Sequence, residues 1–494
     1  MLFDVFPRPR YLRVRAKGRE GVVIFPTYVP GSYLVRDLER HLVDIEGIRI
    51  SKNRFYVREE FWYTVYTSSK DQREALSTGN YIFVNPPAVF PFQDWNEKYC
   101  VRFHVDWPIH TTLRKEGEYY CSDDYESFSD SPIQASPDLK LVRIDDYHYV
   151  SSIDDLDPEK VRAVIREIDD RLGQRAEYIF FFRRSDKNYG GIEHLKSSSI
   201  VVPWDRKDLV VLFAHEYLHR WNVKTFRPKD LELDMEKEVL SDMLWFAEGV
   251  TDYMALVSAV RVGAVSTEEA GKYLANAMAK MTFPGARRTS LAEASRTTWI
   301  KYYKQDENFL NSSVSYYDGG LLLGLILDAH LTRVGERIFN VFKNIPQRYT
   351  FDDLDRYFRA KGYVDLERLV YSPAVSLLEE LKTLLDVSVV DQGIPYYGLM
   401  MDNNRVIFVE DDSPADVSSI IPNDTIVGVD GTSRQLEVKD EVNLTIVREG
   451  RLMNIKLRSG RSPGHKVRFR VRGELSQAIF NLNEWFGESN LSIL

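Results

Sequence analysis

Two histidines four residues apart with a glutamate between them, His215-Glu216-Tyr217-Leu218-His219, are the part of this 494-residue chain best suited to chemistry. In a helix, positions i and i+4 share a face, so both imidazoles reach one ion at about 2.0–2.1 Å, the zinc–nitrogen distance. Glu216 lies next to that face, placed to take a proton from water without being a ligand. A catalytic zinc takes three protein ligands and keeps one position for water or substrate. The candidate for the third is Glu248, 29 residues after His219 in Trp245-Phe246-Ala247-Glu248-Gly249. Asp252 is four residues further on, so in a helix it shares a face with Glu248 and suits the second ring N–H of a ligand histidine.

The elements that must position these groups are legible from periodicity. Residues 207–223 read as a helix with Leu209, Val210, Leu212, Phe213 and Leu218 as its apolar stripe, and 241–262 as a second helix. Residues 177–182 and 197–202 read as buried strands. Between them stands Asn188-Tyr189-Gly190-Gly191-Ile192-Glu193-His194, where Gly190 and Gly191 permit close backbone approach to a ligand. Two readings of Glu193 are open on residue chemistry alone: a partner for a peptide's free α-ammonium, or a solvated glutamate in an ordinary turn. Ser266-Thr267-Glu268-Glu269 is a capping box opening a helix to about residue 281, and residues 318–332 form another helix. Just before it, Tyr316 and Tyr317 place a hydroxyl where it could donate to an oxyanion.

Composition sets the frame. With 44% hydrophobic and 13% aromatic residues the chain can bury sizeable cores, and its length predicts two to four domains. The longest apolar run, 321–327, is too short to span a bilayer, and the N-terminus lacks the apolar stretch of a signal peptide, so a cytoplasmic location is expected, without a membrane partner. A net charge of -9 argues against nucleic acid as a partner. Cys100 and Cys121 are the only cysteines, so neither a disulfide framework nor a thiolate zinc cluster is expected. Residues 1–150 alternate with period two and read as an antiparallel β domain. At Asp157-Pro158-Glu159 the pattern turns helical, with Val161, Val164, Ile165 and Ile168 as the stripe, which places a boundary near residue 150.

The whole pattern resembles the glycyl aminopeptidase family of zinc metallopeptidases. The resembling residues are Pro30-Gly31-Ser32-Tyr33 with Arg36, Gly190-Gly191-Ile192-Glu193-His194, His215 through Lys224, Trp245-Phe246-Ala247-Glu248-Gly249 and Tyr316-Tyr317-Asp318. The resemblance implies a multidomain α+β protein: an N-terminal β-rich domain over 1–150, a thermolysin-like zinc peptidase domain over 151–385 and a C-terminal PDZ-like β domain over 386–460. Residues 461–494, with Phe480, Leu482, Trp485 and Phe486, read as a docking helix. Tyr396-Tyr397-Gly398-Leu399-Met400 resembles a carboxylate-binding loop. The stretch 432–441 is too short and charged for an amphipathic groove helix, which predicts a reduced groove that packs against the catalytic domain in place of peptide capture.

By the same resemblance, Zn2+ is held by His215, His219 and Glu248, Glu216 is the general base, Glu193 with Gly190 and Gly191 holds the substrate's N-terminus, and Tyr317 stabilises the oxyanion. Tyr316 is the reserve candidate, because Asp318 and Gly319 depart from the Glu-Lys that follows this tyrosine in zinc aminopeptidases. His194 stands where those enzymes have asparagine. The expected activity is release of N-terminal residues, glycine or alanine by resemblance, from peptides with a free N-terminus. An endopeptidase on the same metal site and a non-catalytic peptide-binding protein on a peptidase scaffold are the alternatives.

Overall fold

Leu2–Arg8 pairs with Tyr11–Lys17 in antiparallel register and with Tyr99–Phe103 in parallel, in the middle of a seven-stranded sheet. The alternation read from the sequence is what builds it: Leu12, Val14 and Ala16 point inward and are fully buried while the arginines between them face outward. The structure is a computed structural model and describes residues 1–173, 175–206, 209–363 and 365–494. By compactness the chain forms two units, Met1–Val239 and Leu240–Leu494.

In the first unit the core mixes aliphatic side chains with many aromatic rings. Phe3 meets Phe90 with ring centroids 4.9 Å apart, and Tyr125 packs on Phe92 at 4.7 Å while its hydroxyl donates to Phe90 O at 2.7 Å. Burying each such ring contributes about 1.5–3 kcal/mol. Cys100 and Cys121 face one another across adjacent strands and form a disulfide. The cysteine count speaks only to a framework or a zinc cluster; strand pairing brings these two cysteines, 21 residues apart, into register for a single bond.

A five-stranded mixed sheet follows, in the spatial order Lys140–Arg143, His148–Ser152, Tyr178–Ser185, Ser197–Pro203, Gly190–Glu193. Its three middle strands run parallel, and Gly190–Glu193 lies antiparallel at one edge. The helix Glu159–Leu172 buries Val161, Val164, Ile165 and Ile168, the stripe its periodicity predicts. The next helix, Val210–Leu218, is shorter than the predicted 207–223: its first two positions lie outside the described residues, and the chain leaves the helix in a turn after His219.

The second unit is helical, then β. Trp245–Val250 is a π-helical turn that runs into the α-helix Thr251–Arg261. Thr267–Lys280 is capped by Ser266, and Tyr316–Thr332 by Ser315, whose side chain accepts from the Tyr317 and Asp318 amides. Gly249 and Gly320 let two of these helices meet backbone to backbone; a Cβ on Gly320 would lie 2.0 Å from Trp245 O. Beneath them Asp328 accepts from Arg337, from the Tyr253 hydroxyl at 2.7 Å and from the Ile338 amide at 2.9 Å.

Residues 399–458 form a five-stranded antiparallel sheet in chain order, with strands that include Arg405–Val409, Thr425–Val429 and Glu441–Arg448. No helix forms between Thr432 and Asp440. The tail is not one docking helix. Val467–Arg472 and Glu484–Glu488 join Asp386–Val389 in a three-stranded sheet around the helix Gly473–Phe480. Trp485 Nε1 donates to Thr267 O at 2.8 Å, whereas Phe486 is exposed. Alternating Val467, Phe469 and Val471, all buried, specify a strand there. Among the described residues no helix is long and apolar enough to cross a membrane.

Candidate active site

His215 and His219 lie one turn apart on the helix Val210–Leu218, rings edge to face with centroids 4.5 Å apart and their Nε2 atoms 2.9 Å from each other. The turn after the helix brings Asn222 O to 2.5 Å from His219 Nδ1. A carbonyl only accepts, so the proton sits on Nδ1 and the Nε2 of neutral His219 carries a lone pair aimed at its neighbour. This is how metal-binding histidines are oriented. On the opposite face, Tyr217 donates to Asp169 at 2.6 Å and bonds to His148 Nε2 at 2.8 Å, tying the helix to Glu159–Leu172 and the sheet. Burial, with Asp169 adjacent, pushes the Tyr217 phenol far up, so it stays a neutral donor.

The edge strand delivers Glu193 to the same place. Glu193, Glu216 and His219 are all buried, and each has a ligand atom within 4.8 Å of the others. Among the described residues Glu193 Oε1 has no hydrogen-bond partner. Gly191 is required here: a Cβ on it would lie 2.2 Å from Glu216 Oε1. Its carbonyl accepts from Gln72 Nε2 at 3.3 Å and Arg73 Nη2 at 3.4 Å. A Cβ on Gly190 would meet that same Gln72 amide nitrogen at 2.9 Å. His194 turns away from this cluster, its Nδ1 3.1 Å from Asp130, which also accepts from Lys224 at 2.7 Å. Burial raises the Asp130 carboxyl, but Lys224 and His194 more than offset it and hold it well below the usual carboxylate range.

Two positioning residues of this unit escaped the sequence reading. Gly31, at φ +85°, abuts the Glu193 carboxylate so closely that a Cβ would lie 2.4 Å from Oε1. Pro30 to Tyr33 carry part of the family resemblance without a role for Gly31, and a glycine directly after a proline was the available signal. Asn222 works through its backbone, which no side-chain pattern reveals. Arg36 pairs with Asp71 at 3.5 Å and reaches the Ser32 hydroxyl.

In the second unit Glu248 is buried within the π-helical turn Trp245–Val250. Burial pushes the Tyr316 and Tyr317 phenols well up, and the charge of Glu248 adds to the rise in both. The two tyrosines differ in their surroundings. Tyr316 is fully buried and accepts from Thr298 Oγ1 at 2.9 Å, while Tyr317 is half-buried. Asp252, on the helix after the π turn, accepts from the Tyr273 hydroxyl at 3.1 Å.

As a donor set, two buried ring nitrogens that converge with one tautomer fixed, beside two carboxylates, suit a divalent ion of borderline softness. Sequence comparison places the chain: the model of the M61 glycyl aminopeptidase matches residues 208–323, and that of the M61 peptidase N-terminal domain matches residues 11–137. The chain belongs to the M61 glycyl aminopeptidase family. It is a metallopeptidase. The M61 catalytic match contains the histidine pair, Glu216, Glu248 and both tyrosines, and the N-terminal match contains Gly31. An aminopeptidase N family protein from Idiomarina loihiensis has the same fold, with a TM-score of 0.83 at 21% identity over 93% of this chain and 96% of that one. The native leukotriene A4 hydrolase of yeast aligns at a TM-score of 0.43 and 13% identity, over 75% of this chain and 67% of that one. An M1 zinc metallopeptidase from Deinococcus radiodurans aligns at 0.41 and 12%, over 78% and 93%. No curated protein sequence matches the chain.

Proposed function

We propose that this M61 peptidase is a zinc-dependent aminopeptidase that removes N-terminal residues, small ones by family resemblance, from peptides with a free amino terminus. The observation that carries the reading is the buried Oε1 of Glu193, without a hydrogen-bond partner among the described residues, beside Glu216 and His219. A carboxylate buried without a partner is costly, and a substrate's α-ammonium compensates it. The same pairing excludes internal peptide bonds, which have no charge to offer.

Zinc would be held by His215, His219 and Glu248, and would supply a Lewis acid that brings the pKa of water toward about 7. Every other task falls to side chains. Asn222 O fixes the His219 tautomer. Glu216 takes the proton of the attacking water and returns it to the leaving amine. The raised phenol of Tyr317 stays protonated and donates to the oxyanion as it develops. Tyr317 is preferred to Tyr316, whose hydroxyl is already bonded to Thr298 in the core. Gly190 and Gly191 keep the strand open to an extended substrate. Asp252 would orient a ligand histidine from behind.

The Cys100–Cys121 disulfide favours an oxidising compartment over the cytoplasm expected from the sequence, because reducing compartments keep thiols free.

The test is hydrolysis of glycyl, alanyl and larger aminoacyl substrates, free and N-acetylated, with and without a chelator. Cleavage of free-amine substrates alone, lost with the chelator and in Glu216→Gln with zinc still bound, is expected. Equal cleavage of acetylated substrates would instead make the protein an endopeptidase. No cleavage by zinc-replete protein would leave the binding-protein alternative.

A further inference from the structure

Two arginines from different loops meet on one carboxylate. Arg36 Nη1 lies 3.5 Å from Asp71 Oδ2, and Arg73 Nη1 lies 3.3 Å from Oδ1 of the same residue. Both contacts are longer than the about 2.7–2.9 Å of a tight charge-assisted bond, and both guanidinium groups are only partly buried.

The backbone that presents them is braced. Arg73 N donates to Asp71 Oδ1 at 2.8 Å, Asp71 N to the Ser69 hydroxyl at 3.2 Å and Arg183 Nη2 to Lys70 O at 2.5 Å. Arg36 follows Gly31 in the chain. Its N–H donates to Thr27 O at 2.8 Å, and its guanidinium reaches the Ser32 hydroxyl at 3.4 Å.

Arg73 also touches the edge strand Gly190–Glu193. Its Nη2 donates to Gly191 O at 3.4 Å and would lie 3.7 Å from a Cβ on Gly190. Glu193 stands at the other end of this strand, its carboxylate against Gly31. A strand rises about 3.3 Å per residue, so Gly190 and Gly191 lie roughly 7–10 Å from Glu193 along it, the length of two or three extended residues.

The geometry points to Arg73, steadied by Asp71 and Arg36, as the receiver of the C-terminal carboxylate of dipeptide and tripeptide substrates. The inference rests on the aminopeptidase reading, in which Glu193 holds the amine. An extended substrate then runs antiparallel to the edge strand, its amine at Glu193 and its carboxylate at Arg73. A guanidinium offers paired donors that match a carboxylate, whereas a longer peptide brings only a neutral amide to the same place. The two charges thus measure substrate length. Such an enzyme finishes short fragments, which an endopeptidase reaction must supply from longer chains.

The test measures kcat/KM for alanine peptides of two, three and five residues, each as free acid and as C-terminal carboxamide, with alanine p-nitroanilide alongside. For two and three residues the acid is expected to exceed the carboxamide about tenfold or more, and for five residues by less than about twofold. Arg73→Gln is expected to bring the ratio for the short peptides to within about twofold of one. Acid and carboxamide cleaved alike at every length by the parent chain, or a ratio that survives in active Arg73→Gln, overturns the proposal. Should Arg73→Gln be unfolded or inactive, the length series in the parent chain decides: an acid preference confined to two and three residues supports the site, and one that is equal at five overturns it. The anilide has an amine and no carboxylate, which separates the two readings. If it is cleaved and the ratio is flat, only the role of Arg73 falls; if no substrate is cleaved, the aminopeptidase reading falls and this one with it.

Discussion

Gly31 approaches the Glu193 carboxylate more closely than any side chain could, since a methyl group on it would sit 2.4 Å from Oε1. The contact makes one backbone position in the N-terminal β region the wall against which the proposed amine-binding group rests. Gly31→Ala therefore displaces Glu193 and adds about 1–2 kcal/mol of strain at a positive φ. We expect KM for free-amine peptides to rise about tenfold or more with a smaller change in kcat; steady-state kinetics with an unchanged KM would remove Gly31 from the site.

The paired tyrosines separate by environment. Tyr317→Phe removes the proposed oxyanion donor and is expected to lower kcat about a hundredfold at constant KM. Tyr316→Phe leaves Thr298 without its partner, costing about 1 kcal/mol of stability with kcat within about twofold. The reverse ranking in kcat would reassign the role to Tyr316.

Asp130 makes stability depend on pH. A carboxyl held below its unfolded value of about 3.9 contributes stability that is complete above that pH and is lost as pH falls toward the folded value. Asp130→Asn, which leaves Lys224 and His194 unpaired, should cost about 3 kcal/mol at pH 7. Its deficit relative to the parent chain should shrink between pH 5 and pH 2. A urea-melt difference that is flat across this range would contradict the assignment.

Asp328 is fully buried and meets Arg337, Tyr253 and a backbone amide at once. Asp328→Ala leaves the partly buried Arg337 guanidinium without its charge partner, so a loss of about 3 kcal/mol is expected in chemical denaturation. A loss below about 1 kcal/mol would mean that water replaces the carboxylate.

What could be read from the sequence follows interaction range. The histidine pair, the capping serine Ser266 and the alternation in Tyr11–Lys17 are local, and each falls where the sequence pattern puts it, whereas the helix expected from residue 318 starts two residues earlier, at Tyr316. Gly31 against Glu193 and the Cys100–Cys121 bond depend on strand pairing and loop return, to which a linear pattern is blind. The tail misled for a different reason. Phe480, Leu482, Trp485 and Phe486 looked like one apolar face, yet they divide between a helix and a strand, and Phe486 faces water.

The π-helical turn at Trp245–Val250 means that one residue more than an α-helix needs is threaded through the segment carrying Glu248. The orientation of that carboxylate is thus set by counting as much as by chemistry. Deleting a single residue between Glu248 and Thr251 would let an ordinary helix re-form and swing Glu248 by about 100° relative to everything after it. If Glu248 serves as proposed, a lineage could silence the enzyme by losing one codon there, with every histidine, glutamate and tyrosine of the proposed site still in its sequence.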